Sequence, residues 1–65
     1  MPELIFETQT LGETRVCRCY LPNGETRRLV ASMGLSAEYK PEIGIELDVY
    51  LKNEILRWAD AKHHN

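Results

Sequence analysis

The residues of this 65-residue chain that could do chemistry are few, and their spacing limits what they can do. Its two cysteines, Cys17 and Cys19, lie two apart, so in a strand both side chains leave on the same face. Thiolates serve as nucleophiles and as zinc ligands. A zinc site would have to recruit His63 and His64, and adjacent histidines at a fraying end make a poor clamp. The pair therefore reads as two free, buried, small apolar side chains, with no metal and no cofactor. Serine occurs only at Ser32 and Ser36, so a Ser-His-acid or Cys-His nucleophile would also need a terminal histidine folded back onto the domain. Glu46 and Asp48 would share one face of a strand, the usual pattern of a wet face rather than of an acid–base pair. There is no G-x-x-x-x-G-K-[ST] phosphate loop and no G-x-G-x-x-G. No catalytic residue is assigned, and the chain is not expected to be an enzyme.

The other chemistry on offer is recognition. Four arginines (Arg15, Arg18, Arg27 and Arg28) surround Tyr20, which makes these five the candidate partner-binding patch. Small barrels bind single-stranded nucleic acid through such a combination of basic groove and stacked aromatics. The overall balance opposes that use: the net charge is −2, and Glu38, Glu42, Glu46 and Asp48 follow against Lys40 alone. Attraction to phosphate requires a clear excess of positive charge. The chain is dipolar, and a protein partner is favoured over nucleic acid.

These residues must be positioned by a small number of elements. Asn23-Gly24 between apolar-rich runs is the strongest short-range hairpin signal, and Leu11-Gly12 marks an earlier turn. Strands are expected at about 4–9, 14–21 and 27–32, joined as a meander. Val16, Arg18 and Tyr20 would share one face and Cys17, Cys19 and Leu21 the other. From Ile43 to Leu51 every second residue is apolar, which is the period of a half-buried strand. A helix competes, because Leu47, Leu51, Ile55 and Trp58 fall within one apolar stripe. That helix would strand Val49 and Leu56 on its polar side and start poorly capped. The reading is therefore a strand at 44–51, a turn at 52–54 and a strand at 55–60. Five short strands with little or no helix define an all-β fold, a single small OB- or SH3-like barrel or meander spanning 1–65, whose closure removes exposed edges.

The order of these features resembles the transport-associated (TOBE) module found at the C-terminus of ATP-binding subunits of bacterial ABC importers. The resemblance is carried by Leu11-Gly12, Tyr20-Leu21-Pro22-Asn23-Gly24-Glu25, the alternating run from Gly44 to Leu51, and Asn53-Glu54-x-Leu56-x-Trp58-x-Asp60, covering roughly 10–61. It implies a non-catalytic regulatory or oligomerisation module that contacts an import-ATPase subunit, a small solute or a second copy of itself. No ligand-binding residue is carried over, because the matching positions are turn and core positions. Binding is expected through strand edges and the loops at 22–25 and 34–41.

A chain this short supplies only about 3–5 kcal/mol from its core, so a homodimer is expected to complete it. No stretch is long and apolar enough to span a bilayer, so no membrane insertion is expected. The N-terminus lacks a signal-peptide pattern and the cysteines read as reduced, which together suggest the cytoplasm.

Overall fold

A computed structural model describes residues 3–63, without the His63 side chain. Three antiparallel strands, β1 (Ile5–Leu11), β2 (Thr14–Asn23) and β3 (Thr26–Ser36), form an open sheet in the order β1-β2-β3. One helix, α1 (Leu47–His63), packs on one face of it.

The two hairpins use the same device. Gly-Glu-Thr occurs at 12–14 and again at 24–26, and each time Gly-Glu forms a two-residue turn between paired strand residues: Leu11 faces Thr14, and Asn23 faces Thr26. Gly12 and Gly24 have φ of 61° and 66°, and among the described residues no non-glycine has positive φ. Positive φ at the first central position alone is the pattern of a type II′ turn, whose twist matches the flanking strands. The Thr26 hydroxyl donates to the Asn23 carbonyl at 2.9 Å and ties the second turn.

A bulge then sets which residues of β3 reach the core. Cys19 faces Ala31 but Tyr20 faces Leu29, leaving Val30 as the extra residue. A two-residue turn without the bulge would set Val30, Ser32 and Gly34 beside the helix. With it, Ala31, Met33 and Leu35 take those places, and the core is Cys17, Cys19, Ala31, Leu51 and Ile55. Side-chain parity is the reason: one inserted residue flips everything beyond it to the other face.

The expected five-stranded all-β barrel is corrected here. Residues 47–63, expected to supply a fourth strand from 44, a turn at 52–54 and a fifth strand, form one continuous helix. The physical reason is the sheet's apolar face, which needs a cover. Leu47, Leu51 and Ile55 lie four residues apart and stack on one helix face, and Leu51 and Ile55 are buried to 0% and 1% exposure. The alternating run ends at Leu51, whereas the stripe continues through Ile55 to Trp58, and Lys52-Asn53-Glu54 has no glycine to turn a hairpin. Val49 and Leu56 are left outside the core, 47% and 38% exposed, as a helix requires. The helix start is closed by the Tyr50 N–H donating to the Glu46 carbonyl at 2.9 Å, after an Ile45-to-Glu42 turn bond of 3.1 Å. Asp48 in the first turn suits the positive end of the helix dipole. The expected meander order is observed; the register of the central hairpin, which the sequence leaves open, is the one given above, and β3 runs to Ser36 instead of ending at 32.

The two architectures are separated by paired substitutions. Leu51→Ala should cost about 2–5 kcal/mol, enough to bring so small a domain close to unfolding. Val49→Asp should leave the urea midpoint nearly unchanged. Circular dichroism showing loss of structure in Val49→Asp at unchanged temperature would contradict the helix.

Candidate docking groove

The helix is narrower than the sheet and covers β2 and β3 through its first three turns. Beyond Cys19 the next helix-side position on β2 is Leu21, with Arg28 opposite on β3. No core residue of α1 covers that row. A groove of about 520 Å³ opens there between the first half of β3 and the second half of α1. Its floor is Cys19, Ala31 and Ile55, and its walls include Leu29 and Val30 at the bulge and Leu56 and Trp58 on the helix. Trp58, the single tryptophan of the chain, is 47% exposed. A smaller hollow lined by Ser32, Met33, Ile55 and Trp58 continues it along β3. The rim carries two cations, Arg28 and Lys62, and among the described residues no carboxylate lines the groove. The Lys62 ammonium lies 4.7 Å from the centroid of the Trp58 ring. Among the described residues Arg28 makes no ion pair.

The expected patch of Arg15, Arg18, Tyr20, Arg27 and Arg28 is split between the two faces of the sheet. Arg18, Tyr20 and Arg27 come together on the open face. There the Arg27 guanidinium sits 4.3 Å over the Tyr20 ring and pairs with Glu7, while Arg18 donates to Gln9 at 2.9 Å. Arg15 reaches across the covered face to the helix start. Its guanidinium donates to both Asp48 oxygens at 2.7 and 2.9 Å from Nη2 and at 3.0 Å from Nε, and to Thr10 at 2.9 Å. Arg28 stands at the opposite end, on the groove. The loops expected to bind, 22–25 and 34–41, turn out to be a tight turn at 24–25 and the end of β3 leading into a longer loop, 37–46.

The groove itself was not foreseen. On its helical side, Ile55 and Trp58 are the last two members of the apolar stripe from Leu47 that the competing helical reading identifies. Its β3 wall depends on the bulge, for which the sequence has no local marker.

Cys17 and Cys19 are free thiols buried under the helix. Burial raises the pKa of both, and the Asp48 carboxylate adds to the effect at Cys17. Neutral, covered thiols are poor nucleophiles at neutral pH. Among the described residues no group of three His, Cys, Asp or Glu side chains is placed to hold a metal. The alternative site with His63 and His64 falls on side chains outside the described residues. No helix among the described residues is long and apolar enough to cross a membrane.

No family model, no curated protein and no solved structure matches this chain. Fold and site together define an open-faced βββα module with an apolar groove beside one edge strand.

Two outcomes follow for the thiols. Iodoacetamide should label the native protein slowly and the urea-unfolded chain fast. Stability should also fall as pH rises. In the unfolded chain a thiol ionises near its ordinary value of 9.0, whereas in the fold it ionises later. The unfolded state therefore releases protons first, and stability held below pH 9 is lost above it. Tyr50, pushed up to about 12 by its hydrogen bond to Tyr39, acts in the same direction at higher pH. Urea midpoints measured between pH 7 and 11 check this, and a midpoint rising through that range contradicts it.

Proposed function

We propose that this chain is a non-catalytic docking module that binds an apolar, acid-flanked protein segment in the groove between β3 and α1. The observation that carries the reading is the concentration of solvent-exposed Leu29, Val30, Leu56 and Trp58 around one concavity with a cationic rim. Solvent-exposed apolar side chains gathered around a hollow, as opposed to scattered singly, mark interaction sites. Aromatic and arginine side chains are the ones that most often anchor such contacts. The outer edge of β3 adds unpaired backbone groups against which an extended segment can lie.

The open face of the sheet supports nucleic-acid binding less well. The ring of Tyr20 is covered by Arg27, and Arg27 is already partnered by Glu7, so stacking a base there would break both contacts. An import-ATPase subunit, the partner implied by the likeness to the transport-associated module, is one candidate for the docked protein. That likeness now rests on the meander, since its second half lies on the 37–46 loop and α1.

Selection of a random peptide library on the immobilised protein tests the reading, followed by NMR titration of the selected peptides. The expected peptides are rich in Leu, Ile and aromatic residues with neighbouring Glu or Asp. They should shift the resonances of Leu29, Val30, Leu56 and Trp58 and leave Arg18 and Tyr20 unmoved. Failure to select any peptide overturns the docking reading. So does an oligonucleotide that shifts Arg18 and Tyr20 and stays bound at about 200 mM salt, where phosphate-only contacts lose orders of magnitude.

A further inference from the structure

The 37–46 loop carries the complement of the groove. Within it, Ile43 is fully exposed, with Glu42 before it and Glu46 shortly after. The loop is tied at both ends: the Ala37 N–H donates to the Glu13 carbonyl at 2.7 Å, and the Tyr39 N–H to that of Ser36 at 2.9 Å. At the helix end, the Tyr50 ring packs at a tilt of 36° against Tyr39 with centroids 5.1 Å apart, and the Ile45 N–H donates back to the Glu42 carbonyl. An apolar tip held out into water by a braced loop costs little further ordering when it docks, and preorganisation of this kind favours binding.

Acid-flanked isoleucine and cation-rimmed groove sit at opposite ends of the helix. From Glu46 to Trp58 the axis rises about 18 Å. Ile43 is therefore out of reach of its own groove. In a pair of molecules with antiparallel helices, the loop of each comes over the second half of the other's helix. A two-fold contact of this kind repeats the same interaction twice.

We propose, building on the docking reading above, that the groove is filled by the 41–46 loop of a second copy of this chain. Ile43 inserts between Val30 and Trp58, and Glu42 and Glu46 lie against Arg28 and Lys62. A standard interface takes about 800 Å² from each partner. That is under a sixth of the 5290 Å² surface of the chain, and two reciprocal insertions share it.

The test is sedimentation of the full chain between about 1 μM and 1 mM, with Trp58 emission as a second readout. The native protein should dimerise in this range, and its emission should shift to the blue as Trp58 leaves water. Ile43→Asp should remain folded, since Ile43 is fully exposed, and should weaken the dimer about thirtyfold or more, as for a lost central anchor. Leu56→Asp, on the groove wall, should do the same. Mixing the two variants should restore association through the one intact loop–groove pair. The charge-reversed pair Arg28→Glu with Glu42→Arg should dimerise better than Arg28→Glu alone. A native protein that stays monomeric at 1 mM overturns the proposal, as does a dimer indifferent to Ile43→Asp. If the library peptides bind the groove while the native chain stays monomeric, self-association fails and the docking reading stands. If neither occurs, both fail.

Discussion

Leu51 and Ile55 rest on Cys17, Cys19 and Ala31, and these five side chains are the buried core of the described residues. All five are apolar or thiol, and no buried polar side chain among the described residues lacks a hydrogen-bond partner. The sheet side of this contact is made of small groups, which lets the helix lie close over β2 and β3. One helix has only one apolar stripe, so it cannot cover three strands along their whole length. Part of the apolar surface left over collects where the second half of α1 overhangs the start of β3, and the groove is a direct result of that shortage of cover.

A polar clamp fixes how the helix is turned over the sheet. Arg15 on β2 grips both oxygens of Asp48 in the first turn of α1, a fork-to-fork geometry that sets direction as well as attraction. Both side chains are partly exposed, so its contribution to stability is modest, within the roughly 0.2–1 kcal/mol of exposed pairs. Its larger effect is to hold Leu51 and Ile55 facing down. The same clamp removes Arg15 from any patch with Arg18 and Arg27, so four arginines close in sequence act in three separate places.

The meander was legible because its signals are local. Glycine in a two-residue turn, alternation along a strand and the shared side of Cys17, Cys19 and Leu21 need no knowledge of the rest of the chain. The stretch from Ile43 was misread because two periods overlap there: Leu47 and Leu51 satisfy both an alternating and a four-residue repeat. What decides between them is the apolar face of the sheet, a tertiary feature. The bulge at Val30 was invisible for the opposite reason. Valine is an ordinary strand residue, and only the demand that Ala31 and not Ser32 meet the helix forces the extra residue. The five patch residues are divided because alternation sends Arg15 and Arg18, and likewise Arg27 and Arg28, to opposite sides of the sheet.

The order of elements along the chain also has a kinetic side. Each strand pairs with its immediate neighbour across a two-residue turn, so the sheet closes through the shortest loops available and needs no crossover. Local pairing of this kind makes for fast formation. The one non-local step is the landing of α1, after a ten-residue loop, on the face of that sheet. Helix and sheet are each marginal alone. Formation of the native state should therefore be a single concerted docking event, and its transition state should contain both hairpins and the Leu51–Ile55 contact at once. Unfolding should run the same way in reverse, the helix lifting and the meander melting together.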